Sequence, residues 1–173
     1  MADPLQPALA SVSFELPADV PAWLASFHFW LDLQVRLYET DANGHMSQLT
    51  YFGWQEWGSF RYWANLGYDT YFASMDEVSL FMGEQYCRFL SEVQFNETLR
   101  LGVRVARLGS ASVGLEYAFV RADGSLAAVG ANSQVLVNVA SRKPVPLSEQ
   151  LRTAVLRFES EPSPRPSPTW ERE

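Results

Sequence analysis

Asp41 and His45 stand four residues apart in Asp41-Ala42-Asn43-Gly44-His45, a run of turn-forming residues. An aspartate with its ordinary pKa of about 3.9 is ionised at neutral pH and can act as an oxygen base or a nucleophile. Attack on an acyl carbon also needs donors for the oxyanion that develops. The first turn of a helix supplies them, because its backbone N–H groups lack intrahelical partners and the helix dipole adds in the same sense. Ser47-Gln48 follows the turn directly and opens a long aromatic run, so a helix start is expected beside Asp41. Taken without that neighbourhood, Asp41 would read as a plain turn or cap residue.

The other reactive side chains read more plainly. Ser47 suits a helix cap better than a nucleophile. The chain has two histidines and no cluster of further ligands around His45, so no metal centre is expected. Cys87 is the single cysteine, which excludes an intrachain disulfide, and its apolar setting reads as a small buried hydrophobe.

These residues need elements to hold them. Leu31, Leu33, Val35 and Leu37 alternate with Asp32, Gln34, Arg36 and Tyr38, which predicts a half-buried strand leading into the turn. From about Gln48 to Leu66 the length and the aromatics predict a helix. Tyr51, Trp54, Gly58 and Tyr62 fall on one side and Phe52, Trp57, Phe60 and Trp63 on others, the pattern of a helix buried all round. Gly58 suggests close packing against a neighbour, and Gly67 suits the helix C-terminus. Strands are predicted over about 78–93, around Leu101 to Val105, around Val113 to Phe119, and over about 126–139. Gly109-Ser110 and Asp123-Gly124 supply turns, Pro144 and Pro146 end the last strand, and Ser148 caps a short helix to about Phe158. The fold class predicted is α+β, a curved antiparallel sheet of about five strands wrapped around one long buried helix.

Four prolines within residues 1–27 predict an irregular lead-in, the domain proper is expected over 28–160, and the proline-rich residues 161–173 predict a disordered tail. At 173 residues, 47% hydrophobic and 19% charged, the chain suits one globular domain. A formal net charge of −7 argues against nucleic-acid binding, which needs a basic face. No apolar run reaches the ~20 residues of a bilayer span, and no Lys or Arg precedes Arg36, so neither a membrane anchor nor a secretory signal is expected and the cytoplasm is the expected location.

The segment Glu39-Thr40-Asp41-Ala42-Asn43-Gly44-His45-Met46-Ser47-Gln48-Leu49-Thr50-Tyr51 resembles the signature of the hotdog-fold thioesterases of the 4-hydroxybenzoyl-CoA thioesterase type. That signature runs Asp-Thr-Asp, two variable residues, Gly-His, an aliphatic residue, Asn-Asn, two variable residues and Tyr. Asp41, Gly44, His45 and Tyr51 match at the right spacing, while Glu39 replaces the first acid and Ser47 and Gln48 replace the asparagines. Ser141-Arg142-Lys143-Pro144-Val145-Pro146-Leu147 also resembles the family's exit from its last strand. The resemblance implies hydrolysis of an acyl-CoA or acyl-carrier thioester centred on Asp41, as nucleophile or as the base that activates a water. It implies Gly44, His45, Gln48 and Tyr51 as oxyanion and substrate-binding residues, with the backbone N–H of Gln48 as the oxyanion donor, His45 mostly shaping the loop, and Tyr51 as pocket wall or core. Glu56 falls where a related branch carries a helix acid and is a possible secondary acid.

The resemblance further implies no cofactor beyond the CoA of the substrate, and a homodimer or homotetramer with a site shared between subunits. Arg61, Arg88, Arg142 and Lys143 are candidates for the CoA phosphates. The alternative is a non-hydrolytic hotdog protein, either an acyl-binding module or a hydratase or dehydratase.

Overall fold

The computed structural model describes residues 14–68 and 77–160, so the expected tail lies outside the described residues. Six strands form one antiparallel sheet: β1 (Phe29–Gln34), β2 (Val78–Phe89), β3 (Thr98–Leu108), β4 (Ser112–Arg121), β5 (Leu126–Asn138) and the two-residue β6 (Lys143–Pro144). The order is β1-β3-β4-β5-β2, with β6 beside β5. The long helix α2 (Gln48–Asn65) lies in the concave face, and α3 (Glu149–Ser160) packs on β3.

Alternation decides which side chains meet α2. One cross-strand row reads Leu31, Leu101, Phe119, Ala128 and Phe89 across β1, β3, β4, β5 and β2. Leu101, Phe119 and Ala128 belong to the main core, and Leu31 is partly buried against it. The helix answers with Tyr51, Trp54, Gly58 and Tyr62, spaced three and four apart along one stripe, and with Trp63 beside Tyr62. At Gly58 α2 packs tightly on β3: a Cβ there would stand 2.8 Å from Leu101 Cδ2. Gly67 closes the helix at φ +81°, a backbone angle that favours glycine.

The outer face of α2 differs from expectation. Trp57 is 46% exposed, and Glu56 and Gly53 are exposed beside it. The helix is therefore buried on one stripe and not all round, because the sheet curls past only one side of it.

The lead-in also differs. Val20–Ala25 form a helix, α1, capped by Asp19, whose side chain accepts the Ala22 N–H at 2.9 Å. A proline in the first helical turn costs no hydrogen bond, so Pro21 is compatible with α1. Trp23 and Phe27 cover Ala118, Val120 and Val129 on the convex face of the sheet. Arg104 bonds Glu116 and Ser26, and the Trp23 indole donates to the same Glu116, which fixes the segment in place. Among the described residues no helix is long and apolar enough to cross a membrane, and no group of three metal-ligating side chains occurs.

Candidate active site

β1 ends at Gln34, earlier than alternation predicts, and Leu37–Glu39 form a short 3-10 turn. The Glu39 carboxylate takes the Arg36 N–H at 2.7 Å and the Trp54 indole N–H at 3.1 Å, and its backbone carbonyl takes the Ser47 N–H at 2.8 Å. This acid ties the 3-10 turn to α2.

Asp41 follows in a tight turn. Its N–H donates to the His45 carbonyl at 2.8 Å, and the Gly44 N–H donates to the Asp41 carbonyl at 3.0 Å. Gly44 has φ +79°, which accounts for a glycine there. Asp41 Oδ1 accepts the Asn43 N–H at 2.8 Å and the His45 N–H at 3.4 Å. The turn therefore draws on one carboxylate oxygen.

The helix begins six residues after Asp41's neighbour Ala42, at Gln48. Ser47 Oγ accepts the Leu49 N–H at 3.3 Å and the Ser47 carbonyl accepts the Thr50 N–H at 2.9 Å, so Ser47 is the cap that its position predicts. The Gln48 N–H sits in the first turn, where no intrahelical acceptor exists.

Asp41, His45, Met46, Gln48 and Tyr51 line one cavity of about 380 Å³. Its opposite wall is Phe89, Leu90, Ser91, Glu92 and Val93. Tyr51 meets Phe89 and Phe119 edge to face, with ring centroids 5.0 Å and 5.2 Å apart. Burial pushes its phenol up to about 12, so it stays a neutral hydroxyl near pH 7. His45 Nε2 lies 3.3 Å from Glu92 Oε2 across the cavity.

That opposite wall was not foreseen. The apolar run suggests a strand to Val93, but β2 stops at Phe89 and residues 90–97 form a connecting segment. The polar residues Ser91, Glu92, Gln94 and Asn96 are the signal available for this break, and Asn96 takes φ +69°.

The remaining candidates lie elsewhere. Glu56 lines a separate groove of about 430 Å³ with Gly53, Trp57 and Phe60 on the outer face of α2. Arg61, Arg88, Arg142 and Lys143 are not among the residues lining the Asp41 cavity. Arg61 lies over the Trp57 ring, and Arg142 lies over Phe81. Cys87 is half-buried, and burial pushes its thiol up to about 12, far from a reactive thiolate.

Residues 35–155 match the family described as the thioesterase-like superfamily. The chain belongs to that superfamily. The superfamily match spans Asp41, nearly the whole of the domain's core elements including α2, and the five strands that follow β1. A curated relative, the YsmA protein of Bacillus subtilis strain 168, is 30% identical over 146 residues, covering 82% of this chain and 97% of the relative. Among solved structures, a 1,4-dihydroxy-2-naphthoyl-CoA thioesterase from Synechocystis superposes with a TM-score of 0.71 at 16% identity, covering 77% of this chain and 98% of that one. A gentisyl-coenzyme A thioesterase superposes with a TM-score of 0.67 at 21% identity, covering 73% and 99%. The shared architecture is the hotdog fold: a curled antiparallel sheet around a central helix.

Proposed function

We propose that this superfamily member is a thioesterase that hydrolyses an acyl-CoA or acyl-carrier thioester to the free acid and thiol, with Asp41 acting at the thioester carbonyl. The observation that supports this is the meeting of Asp41, Gln48 and Tyr51 at one cavity beside the N-terminus of α2. With Oδ1 engaged by the turn, Oδ2 is the oxygen assigned to chemistry.

Two routes fit this arrangement. In one, Asp41 takes a proton from a water whose oxygen bonds to the acyl carbon; the C–S bond then breaks and the sulfur recovers a proton. In the other, an Asp41 oxygen bonds to the acyl carbon and expels the thiolate, and water opens the resulting anhydride. In both, negative charge gathers on the former carbonyl oxygen, and the Gln48 N–H is the donor assigned to it. Gly44 and His45 keep the turn in shape, and Glu56 is assigned no direct part within one protomer.

Tyr51 and Phe89 favour an aromatic acyl group, which edge-to-face contacts would hold. The reaction needs no cofactor, since CoA enters with the substrate. Among the described residues the 12-residue β2 pairs with β5 and stands at the end of the strand order, and its outer edge is assigned as the seam of a homodimer or homotetramer. Neither nucleic acid nor membrane is a proposed partner, and the proposed location is the cytoplasm.

The test is thiol release from a panel of aliphatic and aromatic acyl-CoAs and acyl-carrier thioesters, run beside Asp41→Asn. Release by the parent and its loss in the variant is the expected result. A parent that binds acyl-CoA without releasing thiol would return the chain to the non-hydrolytic readings.

A further inference from the structure

We propose that Arg121, at the end of β4, is a positioning residue for this site, acting through the connecting segment 90–97. The proposal rests on the thioesterase reading above and adds a residue that does not line the cavity.

The guanidinium reaches that segment at three points. Nη1 donates to Ser91 Oγ, Nη2 donates to the Glu92 carbonyl, and Nε donates to Glu97 Oε2 at 3.1 Å. The other oxygen of Glu97 accepts the Gln94 N–H at 2.8 Å, which closes the turn around Asn96. The Arg121 and Glu97 side chains are only 21% and 34% exposed, so this is not a freely solvated surface pair. A planar fork that holds two side chains and a carbonyl fixes orientation as well as distance.

The fastened segment then meets the catalytic turn. The Val93 carbonyl takes the Met46 N–H at 2.7 Å, Gln94 bridges His45, and Glu92 Oε2 faces His45 Nε2 at 3.3 Å. The Ala127 carbonyl holds the Leu90 and Ser91 N–H groups at the start of the wall Leu90–Val93, and the guanidinium fixes the stretch from Ser91 onward relative to Asp41. That wall and Phe89 carry the apolar surface on which an acyl group would lie. A wall that drifts weakens acyl binding before it alters the chemistry of Asp41.

The experiment is steady-state kinetics of Arg121→Met, Arg121→Lys, Arg104→Met and Asp41→Asn on the best acyl-CoA, with hydrogen exchange of the Met46 amide in the substrate-free protein. Arg121→Met is expected to raise KM about tenfold with kcat within about threefold of the parent. The Lys variant should recover only part of this, because an ammonium cannot reproduce the fork. Faster exchange at Met46 is expected in both. Arg104→Met is the control for stability alone: it breaks a partly buried pair with Glu116 on the convex face and leaves segment 90–97 untouched. Its KM should not move.

An Arg121→Met enzyme with the parent's KM and the parent's Met46 exchange would overturn the proposal while Asp41→Asn remained inactive. An Arg104→Met enzyme with the same rise in KM would overturn it equally. Undiminished turnover in Asp41→Asn would instead sink the site assignment, and the positioning role with it.

Discussion

The Trp54 indole N–H donates to one oxygen of Glu39 at 3.1 Å, while the other oxygen takes the Arg36 amide at 2.7 Å. Glu39 is the acid that stands two residues before Asp41, yet both its oxygens are occupied by structural donors. Glu39→Gln turns one acceptor into a donor, so one of those N–H groups loses its partner. The expected cost is about 1–3 kcal/mol of stability, with kcat reduced far less than in Asp41→Asn. Urea unfolding alongside kinetics checks this, and a Glu39→Gln enzyme of full stability but no turnover would contradict it.

Asp41→Asn preserves shape and the acceptor for the Asn43 amide, so the melting temperature should hardly change. It removes the charge that makes the group a base or nucleophile. Loss of a general base costs about 10²–10⁴-fold, so kcat should fall at least a hundredfold. Glu56→Gln, in the outer groove of α2, should be mild. The reverse order of severity would move the chemistry to the helix acid.

Glu159 gives a pH signature. Its carboxylate accepts the Tyr62 hydroxyl at 2.6 Å and the Val105 N–H at 2.7 Å, where β1 no longer runs beside β3. Burial raises its pKa above the ordinary 4.5, and the two donors, His28 and Arg104 offset only part of that rise. A raised acid pKa means that the folded state favours the protonated form. The stabilisation is complete below the unfolded pKa and is lost as pH climbs through the folded one. Glu159→Gln cannot ionise, so the stability difference between parent and variant should change over that window and be flat above it. Unfolding midpoints from pH 4 to pH 8 measure it; parallel curves for the two proteins would exclude the effect.

Gly58→Ala adds helix propensity worth about 1 kcal/mol. It also places a methyl 2.8 Å from Leu101 Cδ2 and 3.0 Å from Val103 Cγ2, both side chains fully buried. Overpacking of this kind costs about 1–3 kcal/mol, so a net fall in melting temperature is expected. A rise on thermal melting would mean that Leu101 has room to turn.

Legibility in the sequence followed the range of the cause. The long helix is expected over about 48–66 and observed at 48–65, because its stripe and its Ser47 cap are local. The alternating strands behave the same way. Asp41, His45, Gln48 and Tyr51 share a cavity, as a turn feeding a helix start allows. The connecting segment 90–97 is less legible: its polar residues and Asn96 mark a break, but Leu90 and Val93 extend the apolar run, and the bonds that hold it come from Arg121, which lies 24 residues beyond Glu97. The outward Trp57 was misread because apolarity alone does not say which face the sheet will cover. α1 was hidden by prolines that a first helical turn accepts.

The packing of Trp23 and Phe27 on the convex face separates two boundaries that are easily conflated. The stretch shared with the superfamily begins at residue 35 and ends at 155. A protein cut to those limits would uncover Ala118, Val120 and Val129 on one face of the sheet and would leave the Val105 N–H without Glu159 on the other side. It would retain Asp41 and α2 and still present a sticky apolar patch to solvent. What relatives hold in common marks out the shared stretch; the packing that keeps the two faces of this sheet covered reaches at least from Trp23 to Glu159.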